Sequence, residues 1–142
     1  MEYLKLKKGP YLSVEQMNVI YNNFLYLKEK LTTEGFRVGT IRDNSVTYDI
    51  HPVEIINKFQ AVESNIETIS DAFGDLFDEN YEPYVWQAMT SDRRLKVWRW
   101  FDFLDKAYEY ANKYGKLYDI NNEPIYDING EYIFVLQGEG KR

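Results

Sequence analysis

The chain's densest set of oxygen ligands lies near its C-terminus. Asp119, Asn121 and Glu123 recur eight residues later as Asp127, Asn129 and Glu131. Closely spaced carboxylates and amides are what hard cations such as calcium take as ligands. The D-x-N-x-E spacing, however, lacks the rest of an EF-hand loop, which runs on to a glutamate at its twelfth position. Asp and Asn are also the residues that tight turns demand, because their side chains bond the backbone two residues on. The turn reading is the stronger one, and no metal or other cofactor is expected. Two further carboxylate pairs, Asp75/Asp78 and Asp102/Asp105, have the chemistry of a general acid and base but the spacing of solvated helix faces. The single histidine, His51, precedes Pro52 at a helix start, where an N-cap or surface role suffices. There is no cysteine, nucleophile elbow, P-loop or dinucleotide fingerprint. No enzyme is expected.

Aromatic residues offer a different chemistry. Tyr81, Tyr84, Trp86, Trp98 and Trp100 form the densest aromatic group, with Arg93, Arg94 and Arg99 among them. Such residues fill a core, anchor a protein interface or stack on sugar rings. All three readings stay open for them. With Tyr118, Tyr126 and Tyr132 of the C-terminal repeat they make up the candidate interaction surface.

The elements that must position these groups follow from pattern. The 142 residues suit one domain, with 28% charged and 44% hydrophobic residues, values ordinary for a globular chain. A net charge of −6 disfavours a duplex nucleic-acid binder, which needs clustered Lys and Arg for phosphates. No run approaches the ~20 apolar residues of a membrane span, and residues 1–12 lack the apolar core of an export signal. Leu4 and Leu6 alternate with Lys5 and Lys7, as in a short strand or extended arm.

Met17, Ile20, Phe24, Leu27 and Leu31 fall at 3-4-3-4 spacing, one stripe of a helix. Ser13 to Gln16 is a capping-box pattern, and Gly35 is placed to end that helix in the left-handed conformation. Phe59, Val62, Ile66, Ile69 and Phe73 form a second stripe after Pro52. The two stripes superpose at an offset of 42, which sets Asn23 on Asn65. Either a weak duplication or a common packing solution accounts for that match. A third stripe, Val97, Phe101, Leu104, Tyr108 and Ala111, ends near Gly115. Asn18, Asn22, Asn23, Asn57 and Asn65 sit on or beside the first two stripes, where Asn fixes register between chains, and so suggest an oligomer.

The fold class expected is mostly α with a small β part. An antiparallel three-helix bundle over 13–115 follows the 1–12 arm and precedes a C-terminal β-ribbon over 116–142. The connections 36–50 and 75–90 are long for such a bundle, and 36–50 has the alternation of a short hairpin. Beyond Gly115, Tyr118-Asp-Ile-Asn-Asn-Glu123 repeats as Tyr126-Asp-Ile-Asn-Gly-Glu131, with a degenerate third copy from Phe134 to Glu139. A meander of strands 117–120, 123–128 and 131–136 is the simplest reading, with a type I′ turn at Asn129-Gly130. A small solenoid-like stack is the alternative. Removal of 117–142 is expected to weaken assembly more than it unfolds 12–115.

The run LSVEQMNVIYNNFLYLKEKL followed by PVEIINKFQAVESNIETISDAF resembles a helical module in small proteins from tail-region genes of phages of Gram-positive gut bacteria. The stretch RRLKVWRWFDFLDKAYEY with LYDINNEPIYDINGEYIFVL resembles phage proteins that end in duplicated "LDINNE" ribbons. Together these cover residues 12–136. Val19-Ile20 stands where that group commonly has Arg-Ile, and its usual Trp in the 36–50 connection is missing. The resemblance implies a non-catalytic virion protein of a tail, baseplate or connector, made in the host cytoplasm. Its partners would be other virion proteins or further copies of itself. The alternative is a receptor- or carbohydrate-binding module at a tail tip.

Overall fold

A computed structural model of the chain describes residues 2–7, 12–50, 52–74 and 93–136. Three helices, α1 (Val14–Glu34), α2 (Pro52–Phe73) and α3 (Arg93–Lys113), are followed by a two-stranded antiparallel sheet of β1 (Tyr114–Lys116) and β2 (Phe134–Leu136). Each helix touches the other two. The stripes of α1 and α2 are buried throughout, as are Phe101, Leu104 and Ala111 of α3. Both bonds of the Ser13/Gln16 capping box are present. At the other end Gly35 takes φ 101°, and the Phe36 N–H reaches back to the Leu31 carbonyl at 2.9 Å. That is the Schellman closure, which only a residue without a Cβ adopts cheaply.

The helices do not alternate in direction. Phe59 and Trp100, each seven residues into its helix, meet edge to face at 5.5 Å. Near the opposite ends Phe73 meets Tyr110 at 6.2 Å, and Phe36, just past α1, meets Phe73 at 5.8 Å. The three C-termini therefore converge, and the antiparallel bundle expected from the pattern is corrected to parallel helices. The long 36–50 connection is the physical reason. A helix of 21 residues spans about 32 Å, and a dozen extended residues are enough to run back along it.

Those return runs are held in a repeated way. In the arm, Leu4 donates its N–H to Asn23 Oδ1 at 2.9 Å, and its carbonyl accepts from Asn23 Nδ2 at 2.8 Å. In the 36–47 run, the Arg42 N–H and carbonyl make the same pair of bonds with Asn65, at 2.7 and 2.8 Å. Asn18 grips Val46 likewise, at 2.9 and 3.3 Å. Each amide imitates one rung of a β-ladder, satisfying backbone groups that have no strand beside them. The register runs antiparallel to the helix in both cases: Glu2 lies at Asn22 and Lys7 at Gln16, while Arg42 lies at Asn65 and Asp43 at Lys58. The two helices that superpose at an offset of 42 thus each hold an extended run along them, although the clamped run residues, Leu4 and Arg42, are 38 apart. Residues 36–47 form no hairpin, and Asn18, Asn22, Asn23 and Asn65 are engaged within the chain. Their support for an oligomer falls away; Asn57 is exposed on α2.

Tyr3 anchors the arm further. Its ring stacks on Tyr108 at 4.1 Å and meets Tyr26 edge-on at 5.9 Å, and its hydroxyl donates to Asp105 at 2.8 Å. Burial, then the Asp105 hydrogen bond and charge, push the Tyr3 hydroxyl well above the ordinary tyrosine range. Because the folded value is raised, the stabilisation is intact below the unfolded pKa of about 10 and is lost as pH climbs beyond it. Urea midpoints should therefore fall above pH 10, and Tyr3→Phe should flatten that fall. An unchanged slope in Tyr3→Phe would show that Tyr3 does not control it.

Candidate functional site

The eight-residue repeat folds into a closed cluster of turns, in place of the expected meander. Leu117, Ile125 and Ile133 occupy the same position in successive copies, and their backbones bond in a ring. The Leu117 N–H donates to Ile133 O (2.7 Å), Ile125 N–H to Leu117 O (2.9 Å) and Ile133 N–H to Ile125 O (3.3 Å). Each copy gives one residue to this triangle, so no long strands form. Among the described residues pairing is confined to β1 with β2 and to single bridges, Tyr118 with Pro124 and Tyr126 with Tyr132.

Between ring residues the chain makes the same turn twice. Asp119 Oδ1 accepts the N–H groups of Asn121 and Glu123, both at 2.9 Å. Asp127 Oδ1 accepts those of Asn129 and Glu131, at 2.8 and 3.0 Å. The positive φ falls at equivalent residues, Asn122 (64°) and Gly130 (77°). A type I′ turn at Asn129-Gly130 needs positive φ at both residues, and Asn129 does not have it. The observed turn closes from Asn122 N–H to Asp119 O and from Gly130 N–H to Asp127 O, each at 3.0 Å, a three-residue step into a left-handed residue. The aspartates act as turn formers, and no group of three or more His, Asp or Glu placed to hold a metal ion occurs among the described residues.

What these turns present is apolar. Ile120 is 99% exposed and Ile128 100% exposed, at the same place in each copy. An exposed apolar residue is common on proteins, but two isoleucines wholly in solvent on duplicated, internally bonded turns are not. Beside them the half-exposed Tyr126 stacks on Tyr132 at 5.1 Å, and Lys116 Nζ lies 4.0 Å from the centre of the Tyr132 ring. Tyr132 leads to Phe134, which stacks on Phe36 at 3.8 Å, so the cluster sits on the common C-terminal end of the helices.

The remaining sequence candidates divide. Tyr126 and Tyr132 are brought together in the cluster, while Tyr118 pairs with Pro124 within it. Trp100 is 1% exposed, packed on Phe59 in the core. It is removed from the interaction surface. Tyr81, Tyr84, Trp86 and the Trp98 side chain lie outside the described residues, as do His51 and the Asp75/Asp78 pair. Asp102 and Asp105 are on α3, Asp105 bonded to Tyr3. Pattern reading passed over Ile120 and Ile128 as strand positions; their recurrence within turn residues was the available signal. Among the described residues no helix is long and apolar enough to cross a membrane. No family model, curated protein or solved structure matches this chain.

Proposed function

We propose that the chain is a non-enzymatic structural or assembly protein of a phage virion, in a tail, baseplate or connector. It acts through protein–protein contact, with the turn cluster as its contact surface. The observation that carries this reading is the pair of fully exposed isoleucines at equivalent positions of two rigid turns. The helical bundle is the mount that fixes their placement, and the resemblance of residues 12–136 to phage tail-region proteins supplies the setting.

The test combines particle composition with one double variant. Mass spectrometry of purified particles should find the wild-type chain at fixed copy number. Ile120→Ser/Ile128→Ser should keep its unfolding free energy within about 0.5 kcal/mol, as for other exposed sites, yet be lost from particles. Absence of the wild-type chain from particles overturns the reading.

A further inference from the structure

Asn129 stands directly before Gly130, the one place in the chain where glycine follows asparagine. Both residues are exposed, at the tip of the second turn. Asparagine is a chemically labile residue, because the next residue's backbone nitrogen can attack its side-chain carbonyl carbon. A side chain on that next residue obstructs the approach, and glycine has none. The two turns therefore differ in chemistry although their hydrogen bonds match. Asn121 occupies the place of Asn129 and is also exposed, but Asn122 follows it with a full side chain.

Burial and bonding hold other asparagines away from this reaction. The side-chain amides of Asn23, Asn44 and Asn65 are buried and donate to the carbonyls of Leu4, Met17 and Arg42, at 2.8, 3.0 and 2.8 Å. Asn44 precedes the small Ser45, yet its amide is fixed on α1. At Asn129 the restraint is on the backbone instead. The Gly130 nitrogen, the attacking atom, has its N–H bonded to the Asp127 carbonyl at 3.0 Å. Asp127 Oδ1 holds the N–H groups on either side, of Asn129 at 2.8 Å and of Glu131 at 3.0 Å. Attack requires the Gly130 nitrogen to turn toward the Asn129 side chain, so these bonds must open first.

We propose that Asn129 is a site of spontaneous modification, gated by Asp127, at which the amide becomes aspartate or isoaspartate. The Gly130 nitrogen bonds to Asn129 Cγ, and the side-chain nitrogen leaves as ammonia, which closes a five-membered succinimide. Water then adds to one of the two ring carbonyls and breaks its bond to nitrogen. Opening at the side-chain carbonyl gives aspartate; opening at the main-chain carbonyl gives isoaspartate. One water is consumed and one ammonia released. Isoaspartate routes the main chain through the side-chain carbon and so lengthens it by a methylene between residues 129 and 130. The bonds from Gly130 and Glu131 to Asp127 then lose their present spacing, and the Ile128 tip shifts while Ile120 stays. Either product adds a carboxylate to residues 117–136, which already carry Asp119, Glu123, Asp127 and Glu131 with no Lys or Arg. The two matched tips become unlike as the protein ages.

Incubation of the full chain at mildly alkaline pH tests the site, read by peptide mapping in the mass spectrometer and by an isoaspartate-specific methyltransferase assay. The first asparagine to convert should be Asn129. Asp127→Ala should speed its conversion by about tenfold, the worth of two modest hydrogen bonds. Asn122→Gly suits the positive φ of 64° at that position and should make Asn121 a second site of conversion. The reaction needs no partner, so these outcomes are the same whether or not the chain belongs to a particle. Conversion of other asparagines ahead of Asn129, or either variant without effect, would overturn the inference.

Discussion

Asn65→Ala is expected to destabilise the fold by about 3 kcal/mol, measured as the shift in unfolding free energy in urea. Asn65 is fully buried, and its amide is the partner of both the Arg42 N–H and the Arg42 carbonyl. Truncation leaves two part-buried backbone groups without partners, at about 1–3 kcal/mol each. Asn18 provides an internal comparison. It makes the same two bonds to Val46 but is exposed, so water replaces the lost partner. Asn18→Ala should therefore cost about 1 kcal/mol or less. Asn65→Asp separates donor from acceptor, because its carboxylate faces the Arg42 carbonyl at neutral pH and regains a donor only when protonated. Equal costs for Asn65→Ala and Asn18→Ala would show that burial does not govern the clamp.

The clamps mark where sequence reading stops. Apolar periodicity located all three helices, because a stripe at 3-4 spacing reports burial of one face and is a local property. The Ser13 cap and the Gly35 stop were equally legible, since each is a bond between near neighbours. Helix direction was not legible. It depends on whether a connection turns at once or runs back, and the 36–50 segment carries its extended course in contacts with Asn18 and Asn65, 20 or more residues away. Those asparagines were visible, yet an Asn beside an apolar stripe reads alike whether it pairs with another chain or with its own backbone. The repeat was recognised, but its closure was not. A ring through Leu117, Ile125 and Ile133 needs three copies to meet, whereas the turn signal at Asn129-Gly130 concerns two residues. Trp100 was left between core and surface for a simpler reason: composition does not say which side of a helix an indole occupies when both sides are apolar.

Phe36→Ala is expected to cost about 3–4 kcal/mol, a large share of a marginal domain's stability. Phe36 is buried where the three helix ends converge, edge-on to Phe73 and stacked on Phe134 of β2. Its loss opens a cavity that Gly35 next to it does nothing to fill. The consequence for the turn cluster is specific. Phe134 is the step by which Tyr132, and through it Tyr126, rest on the core. Hydrogen exchange at the ring amides of Leu117, Ile125 and Ile133 should therefore speed up along with exchange in the helices. That outcome would replace the expectation that 117–142 is separable from 12–115, because a ribbon stacked on Phe36 belongs to the same core. Ring amides that stay protected while the helices loosen would instead make the cluster a unit of its own. The distinction bears on function. Ile120 and Ile128 serve as contact points only if the turns that carry them hold a fixed place on the helices, and Phe36 is the residue through which that place is set.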